Sequence, residues 1–383
     1  MEAPSLQQSA IHVDLSAIFV SLELSKSKWL ITSLSPGGGE KMLKHSVNGG
    51  DVPGLDSLFS SLIEKARVKS GREYRIITIQ EAGLDGFWIH RVLANKGIES
   101  HVVDPASLQV SRRRRRAKTD RIDGEKLLRA LMAYKRGEPR VCAMVRVPSP
   151  DEEDVRRICR ERKALIKARV GHVNRIKGLF SSQGISHYEP LRKDRHARLV
   201  GLRTGDGRAL PTHMKAQVCR ELGRIELVLE QIKVIEKERD ALLAAQPAEA
   251  PVTRLLRLKG IGPEFAAVLW CEGLFRHFDN RRQVAAYAGL APTPWQSGSI
   301  DCEQGVSKSG NPRLRATLIQ VAWLWLRHQP NSALSQWFNA RIEHNNGRGK
   351  KVAIVALARK LLVAIWKYLT SGVPIEGAIL KSS

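Results

Sequence analysis

Four acidic side chains raise the first chemical question. Asp14 stands inside the apolar run Ile-His-Val-Asp-Leu, between Val13 and Leu15. Glu81 closes the run Ile-Ile-Thr-Ile-Gln and is followed by Ala82-Gly83. Asp120 and Asp123 are three residues apart in Thr-Asp-Arg-Ile-Asp-Gly, so on a helix they share a face. A carboxylate within a buried strand is costly unless it is paired or binds a metal ion. Four carboxylates converging at the end of a sheet would offer only oxygen donors, which suits Mg2+ or Mn2+ rather than zinc. Such a clamp serves phosphodiester cleavage, where one ion activates the attacking oxygen and another stabilises the leaving one. Each acid taken singly also reads as a salt-bridged, strand-end or helix-start residue, and Asp85, Asp104 and Glu125 compete nearby. The weight lies on the combination, in this order along the chain.

The charge of the chain points the same way. The 383 residues carry 63 Lys and Arg against 38 Asp and Glu, a formal +25. A surplus of that size favours a polyanion, since each neutralised phosphate releases a counterion. Arg112, Arg113, Arg114, Arg115 and Arg116, with Lys118, sit immediately before the paired aspartates. Arginine forks match phosphate geometry, so the run reads as a phosphate clamp beside a nuclease site, or else as a solvated loop. With 43% hydrophobic residues the chain is not a disordered one. Five scattered cysteines without a C-x-x-C pair argue against a zinc site or a disulfide framework. No apolar run has membrane-spanning length, so a cytoplasmic, nucleoid-associated location without a membrane partner is expected.

The elements that must position these groups follow from periodicity. Residues 11–24 and 29–34 read as strands, and Lys41–Gly49 as a third. A helix over 52–69, a buried strand ending at Glu81, a helix over 84–96 and a strand at Ser100–Pro105 follow. Strands in a meander and then alternating with helices predict a mixed α/β domain resembling ribonuclease H. Thr119 is a plausible cap for a helix over 119–137. Two long amphipathic stretches, around 155–180 and 218–242, predict an antiparallel helical hairpin or an oligomerising coiled coil. From Pro251 onward the pattern is mainly helical, interrupted by a loop rich in Pro, Gly and Ser at 289–312. Three domains are expected, at 11–148, 149–246 and 252–372. Trp323, Trp325, Trp337 and Trp366 lie on amphipathic stretches and are expected in a core rather than as base-stacking platforms. Leu255–Leu269 resembles a helix-hairpin-helix, in which Gly260 and Gly262 permit the turn and backbone N–H groups would face a phosphate.

The segments Ile11–Ser16, Gln80–Gly83 and Arg115–Leu131 resemble the DEDD transposases of insertion-sequence family 110, whose N-terminal domain is similar to the junction nuclease RuvC. The resemblance places the family's four acids on Asp14, Glu81, Asp120 and Asp123. One departure is visible: the family often has a Lys shortly after the first Asp, where this chain has Leu15-Ser16-Ala17. The C-terminal half resembles the family's second domain through Ala286–Pro292, Ser297-Gly298 and Ser307–Arg315. It implies that Ser297 is a nucleophile, with Ser299 as competitor, forming a phosphoserine bond that keeps the energy needed for rejoining. Lys308, Asn311, Arg313 and Arg315 become candidate nucleic-acid contacts, although Asn311 and Arg313 also suit a helix cap. The fold implied is a ribonuclease H/RuvC-like mixed sheet, a coiled-coil-like helical spacer and a mainly α C-terminal domain. The partners implied are DNA, as element ends and target, a structured guide RNA, and further subunits in a homodimer or homotetramer. Two other readings stay open: a RuvC-type resolving nuclease without serine chemistry, and a non-catalytic nucleic-acid-binding protein.

Overall fold

The computed structural model describes residues 16–36, 41–83, 86–108, 120–139, 141–297, 300–344 and 349–381. It divides into two compact units, Met1–Pro148 and Ser149–Ser383. Each is built around its own apolar clusters.

In the first unit β1 (Ile18–Glu23), β2 (Lys28–Leu34) and β3 (Leu43–Asn48) form an antiparallel meander. Helix α1 (Val52–Ser70) then carries the chain to β4 (Ile76–Glu81), which lies parallel to β1. Helix α2 (Trp88–Asn95) leads on to β5 (Glu99–Val103), parallel to β4. The strand order is β3-β2-β1-β4-β5. Local chemistry sets the boundaries of α1: Asp51 accepts the Gly54 N–H at its start, and Gly71 turns left-handed at its end (φ 70°).

The two-residue period of the strands sorts their side chains onto two faces. Ile18, Val20, Leu22 and Ile76 pack with Leu55, Phe59 and Leu62 of α1 and with Ile89 and Leu93 of α2. Phe19, Ile77 and Ile79 point the other way, onto Leu127, Leu128 and Leu131 of α3 (Asp120–Lys135). Each of those leucines is almost wholly buried and contributes on the order of 2 kcal/mol to holding α3 on the sheet. The expected mixed sheet is present, and α3 begins within a residue of its expected start. Among the described residues the first strand begins at Ile18.

In the second unit α4 (Pro150–Ser181) opens with a reciprocal capping box between Ser149 and Glu152. A short helix α5 (Arg195–Val200) precedes α6 (Thr212–Ala244). Arg162 pairs with Glu236, and Arg175 with Glu221, so α4 and α6 run antiparallel. Between them Ile176 and Phe180 meet Val218, Leu222 and Ile225. Next come α7 (Pro251–Arg257) and α8 (Pro263–Leu269), the latter continued by a wider π-turn over Trp270–Leu274. Helix α9 (Arg281–Tyr287) and strands β6 (Pro292–Ser297) and β7 (Ile300–Val306) follow. Helices α10 (Pro312–His328), α11 (Ala333–His344) and α12 (Lys350–Ser371) complete the unit. Leu255, Ile261, Leu318, Trp325, Leu357 and Leu361 lie at the centre of its largest apolar cluster.

Two expectations need correction. The segment read as a loop at 289–312 contains an antiparallel hairpin of β6 and β7. Pro292 and Pro294, which flank an irregularity in its register, hid the strand pattern. Trp325 is buried, and Trp337 and Trp366 pack against the core, but Trp323 remains 41% exposed, with the Lys350 ammonium 5.6 Å from its ring centre. Among the described residues no helix is long and apolar enough to cross a membrane.

Candidate functional site

The C-terminal ends of two parallel strands place two glutamates next to each other along the sheet in the first unit. Leu22 is in register with Gln80, so the next pair along β1 and β4 is Glu23 and Glu81. By alternation both belong to the face that carries α3. Helix α3 comes very close there. Ser21 Oγ donates to the carbonyl of Gly124 at 2.8 Å, and a Cβ on residue 124 would stand 2.4 Å from Thr32 Oγ1 and 2.9 Å from Glu23 Oε1. Only glycine fits. Asp123, the neighbour of that glycine, is one-third exposed and accepts a hydrogen bond from Lys126 at 3.0 Å. A Gly124→Ala variant should therefore lift α3 from the strand ends and cost about 1–3 kcal/mol. Thermal melting of the protein checks this, and a wild-type midpoint would show that the close approach is not made.

Not every expected acid can be followed. Asp14, Arg112, Arg113, Arg114, Arg115, Arg116 and Lys118 lie outside the described residues, as does the side chain of Asp120, whose backbone begins α3. Of the competitors, Glu125 is paired with Lys44 at 2.6 Å. Glu23 was not anticipated, although a signal for it existed. It opens Glu-Leu-Ser-Lys, which supplies the lysine shortly after the acid that the Asp14 segment lacks. Among the described residues no group of three or more His, Cys, Asp or Glu is arranged to hold a metal ion. The donors present are nevertheless all carboxylate oxygens, suited to Mg2+ or Mn2+. The space that Gly124 leaves beside Glu23 Oε1 fits such a use.

In the second unit the motif residues of the C-terminal half fold into a clasp. Ser307, Lys308 and Asn311 donate backbone N–H groups to the carbonyls of Ala291, Gly289 and Tyr287, at 2.9, 3.2 and 2.7 Å. The two segments can approach so closely because of glycine. A Cβ on Gly310 (φ +97°) would lie 2.3 Å from the Tyr287 oxygen, and one on Gly289 (φ +66°) 2.2 Å from that of Ser309. Lys308 has φ 57°, the one positive value at a non-glycine position among the described residues. Arg315 Nη1 donates to the Lys308 carbonyl at 2.9 Å. The clasp closes the base of the β6–β7 hairpin, and Ser297, opposite Ile300, stands at its far end. Ser299 lies outside the described residues, as does the side chain of Ser297.

Asn311 and Arg313 have structural partners. The Asn311 side-chain oxygen accepts the N–H groups of Arg313 and Leu314 and so caps α10. Its Nδ2 donates to the backbone oxygen and to Oε2 of Glu272, at 3.0 and 3.1 Å. Arg313 Nη1 lies 3.3 Å from Glu272 Oε1, and Arg160 Nε of α4 lies 3.2 Å from the same oxygen. The Tyr287 hydroxyl donates to the Glu272 backbone at 2.9 Å. The Glu272 side chain is only 5% exposed. Burial pushes its carboxyl pKa up, but Arg160, Asn311 and Arg313 outweigh this and hold it below the ordinary glutamate value.

Gly260 and Gly262 stand in the turn between α7 and α8. Gly260 has φ +95° and packs against His328. Gly262 precedes α8 in an extended conformation. The Lys381 ammonium donates to the carbonyls of Leu256 and Ile261, both at 2.7 Å, and Glu264 in the first turn of α8 is paired with Arg162 and Arg239.

Comparison with known proteins matches two family models. One, of DEDD transposases of the insertion-sequence 110 type, covers residues 36–183 and thus Glu81, Asp120 and Asp123, but neither Asp14 nor Glu23. The other, described as transposase IS116/IS110/IS902 family, covers residues 252–336. The chain is 70% identical over its whole length to a Sinorhizobium fredii protein named "Putative transposase y4rJ", covering 98% of that protein. It is 28% identical over 77% of each chain to the transposase for insertion sequence element IS1111A of Coxiella burnetii. To a probable family 20 transposase of Pseudomonas aeruginosa it is 31% identical, over 59% of this chain and 66% of that one.

Proposed function

This chain belongs to the IS116/IS110/IS902 family of transposases, and from that premise we propose that it cuts and rejoins DNA with a carboxylate-held divalent cation and a serine nucleophile. In this reading residues 11–148 are a ribonuclease H/RuvC-like catalytic domain, 149–246 a helical spacer and 252–372 the serine-bearing domain. The observation that carries it is the juxtaposition of Glu23 and Glu81 on neighbouring parallel strand ends, under the helix that carries Asp120 and Asp123. A three-strand meander followed by parallel strands reached through helices is also the layout expected of the ribonuclease H-like class.

Glu23, Glu81, Asp120 and Asp123 would hold Mg2+ or Mn2+, with Asp14 as the other candidate for the first position. When bound, the cation offsets the negative charge that develops on phosphodiester oxygens during cleavage. The serine step forms a bond between Ser297 Oγ and phosphorus while the bond from phosphorus to a sugar oxygen breaks. The Oγ proton passes to water and the departing sugar oxygen takes one up; Lys308, a cationic residue at the opposite end of the hairpin from Ser297, would contact phosphate rather than accept that proton. A sugar hydroxyl attacking the phosphoserine reverses the exchange and joins strands without ATP. Lys308 keeps a backbone conformation that glycine would adopt at lower cost, which supports a use for its side chain.

The partners in this reading are element ends and target DNA, a structured guide RNA, and other copies of the chain in a dimer or tetramer. The net charge of +25 supports the first two. Val170 of α4 and Leu227 and Val234 of α6, all exposed, support the third. A cytoplasmic, nucleoid-associated location goes with them. The test is cleavage of DNA bearing element ends by Glu23→Gln and Asp14→Asn variants. Glu23→Gln should lower the Mg2+-dependent rate by about 10²-fold or more, with Asp14→Asn close to wild type. Full activity in Glu23→Gln would remove Glu23 from the site, and a lost activity in Asp14→Asn would return the role to Asp14.

A further inference from the structure

Glu272 has no part in the chemistry above, yet among the described residues it is a buried carboxylate with several partners near the base of the serine hairpin. A buried charge stripped of its partners is strongly destabilising, so its donors are required where they stand. Those donors come from distant parts of the second unit. Arg160 reaches it from α4, and Asn311 and Arg313 reach it from the start of α10. The Tyr287 hydroxyl meets its backbone from the end of α9. Glu272 itself sits in the π-turn after α8, a widened turn of a kind often found at functional sites. The seat of α4 against this turn is reinforced by Cys159, which is buried with Ala267 and Val268, and by the Arg156 guanidinium 3.9 Å from the centre of the Phe275 ring.

A two-stranded ribbon has little stability of its own. The direction in which β6 and β7 project is therefore set at their base, by the clasp between 287–291 and 307–311. Asn311 belongs to both arrangements: its N–H closes the clasp on Tyr287, and its side chain holds Glu272. We propose that Glu272 is the positioning residue of the serine hairpin, tying its base through Asn311 and Arg313 to α4 through Arg160. The proposal rests on the reading of Ser297 as nucleophile and adds what aims it. A misplacement of about 1 Å at a reacting atom costs about 10²-fold in rate, so loosening this tie should slow the serine step without weakening DNA binding.

The experiment compares Glu272→Gln, Glu272→Asp and Arg160→Gln in the full-length protein with DNA bearing element ends. Three quantities are read: the rate of covalent protein–DNA adduct formation at saturating DNA, the affinity for that DNA, and amide hydrogen exchange over residues 292–306. Glu272→Gln keeps the shape but turns an amide N–H2 toward existing donors. It should slow adduct formation about 10²-fold, leave affinity within about twofold, and speed exchange across the hairpin. Glu272→Asp should recover part of the rate. Arg160→Gln removes a half-exposed partner and leaves Asn311 and Arg313 in place, so it gives a weaker form of the same pattern if Glu272→Gln fails to fold. Wild-type exchange and wild-type adduct rate in Glu272→Gln, or in Arg160→Gln where only that variant folds, would overturn the proposal. Ser297→Ala separates the two ideas: an adduct still formed by that variant would sink the serine reading, and the exchange data would still decide whether Glu272 holds the hairpin.

Discussion

Ser297→Ala should abolish strand joining and the covalent protein–DNA adduct, lowering the joining rate by at least about 10³-fold while leaving DNA affinity unchanged. The expectation follows from what the hydroxyl does in the proposed reaction. Without Oγ no phosphoserine forms, and the energy of the broken phosphodiester is lost when water takes its place. Ser297 ends β6 opposite Ile300, at the end of the hairpin remote from the clasp, so losing one hydroxyl there should leave the melting temperature within about a degree. Ser299→Ala is the companion variant and should keep most of the activity. A resolving nuclease that relies on carboxylates alone would work equally well with either alanine. Gel analysis of joined products, with denaturing electrophoresis for the adduct, separates these outcomes.

Asp123→Asn, and likewise Asp120→Asn, should abolish DNA cleavage itself. A carboxylate that holds a catalytic cation contributes several kilocalories per mole to the transition state. At about 1.4 kcal/mol per factor of ten, a loss near 4 kcal/mol is a rate reduction of about 10³-fold. The stability cost should be small. Asp123 is one-third exposed and its partner Lys126 is similarly exposed, a pairing that contributes at most about 1 kcal/mol. Activity and stability therefore part company in this variant, whereas Gly124→Ala, one residue along, should lower both. A binding protein whose acids are structural would retain its DNA affinity and show no cleavage to lose. Rates measured at fixed Mg2+ beside melting curves of the same preparations make the comparison.

Much of the first unit was legible because its signals are local. The run Ile-Ile-Thr-Ile-Gln before Glu81 reads as a buried strand, and the Thr-Asp start of α3 announces a helix with two acids on one face. What the sequence could not decide was which acid of the first segment belongs beside them. Asp14 and Glu23 both follow apolar, strand-like residues. The proposal of Glu23 rests on its place next to the end of β4, given by the pairing of Leu22 with Gln80, a contact between residues far apart in the chain, whereas Asp14 lies outside the described residues. The motif around Asn311 shows the same limit. Its Gly, Asn and Arg residues were legible as a motif and as possible phosphate contacts. Glu272, which engages Asn311 and Arg313, lies 39 and 41 residues before them, and 112 after Arg160, inside a stretch with ordinary helical periodicity. A lone acid there gives no hint of burial. The hairpin was hidden for a local reason, since prolines at 292 and 294 break the alternation by which strands are recognised.

In the proposed site, carboxylates from separate segments meet around one divalent cation. Replacing Mg2+ with Fe2+ and adding ascorbate and peroxide generates hydroxyl radicals at the bound ion, which cut the backbone nearby. The fragments can be mapped by mass spectrometry. Cuts should cluster near Glu23, near Glu81 and near Asp120–Asp123 together, all suppressed by excess Mg2+ and by Glu81→Gln. Cuts confined to one of these segments, or scattered without regard to them, would contradict this arrangement.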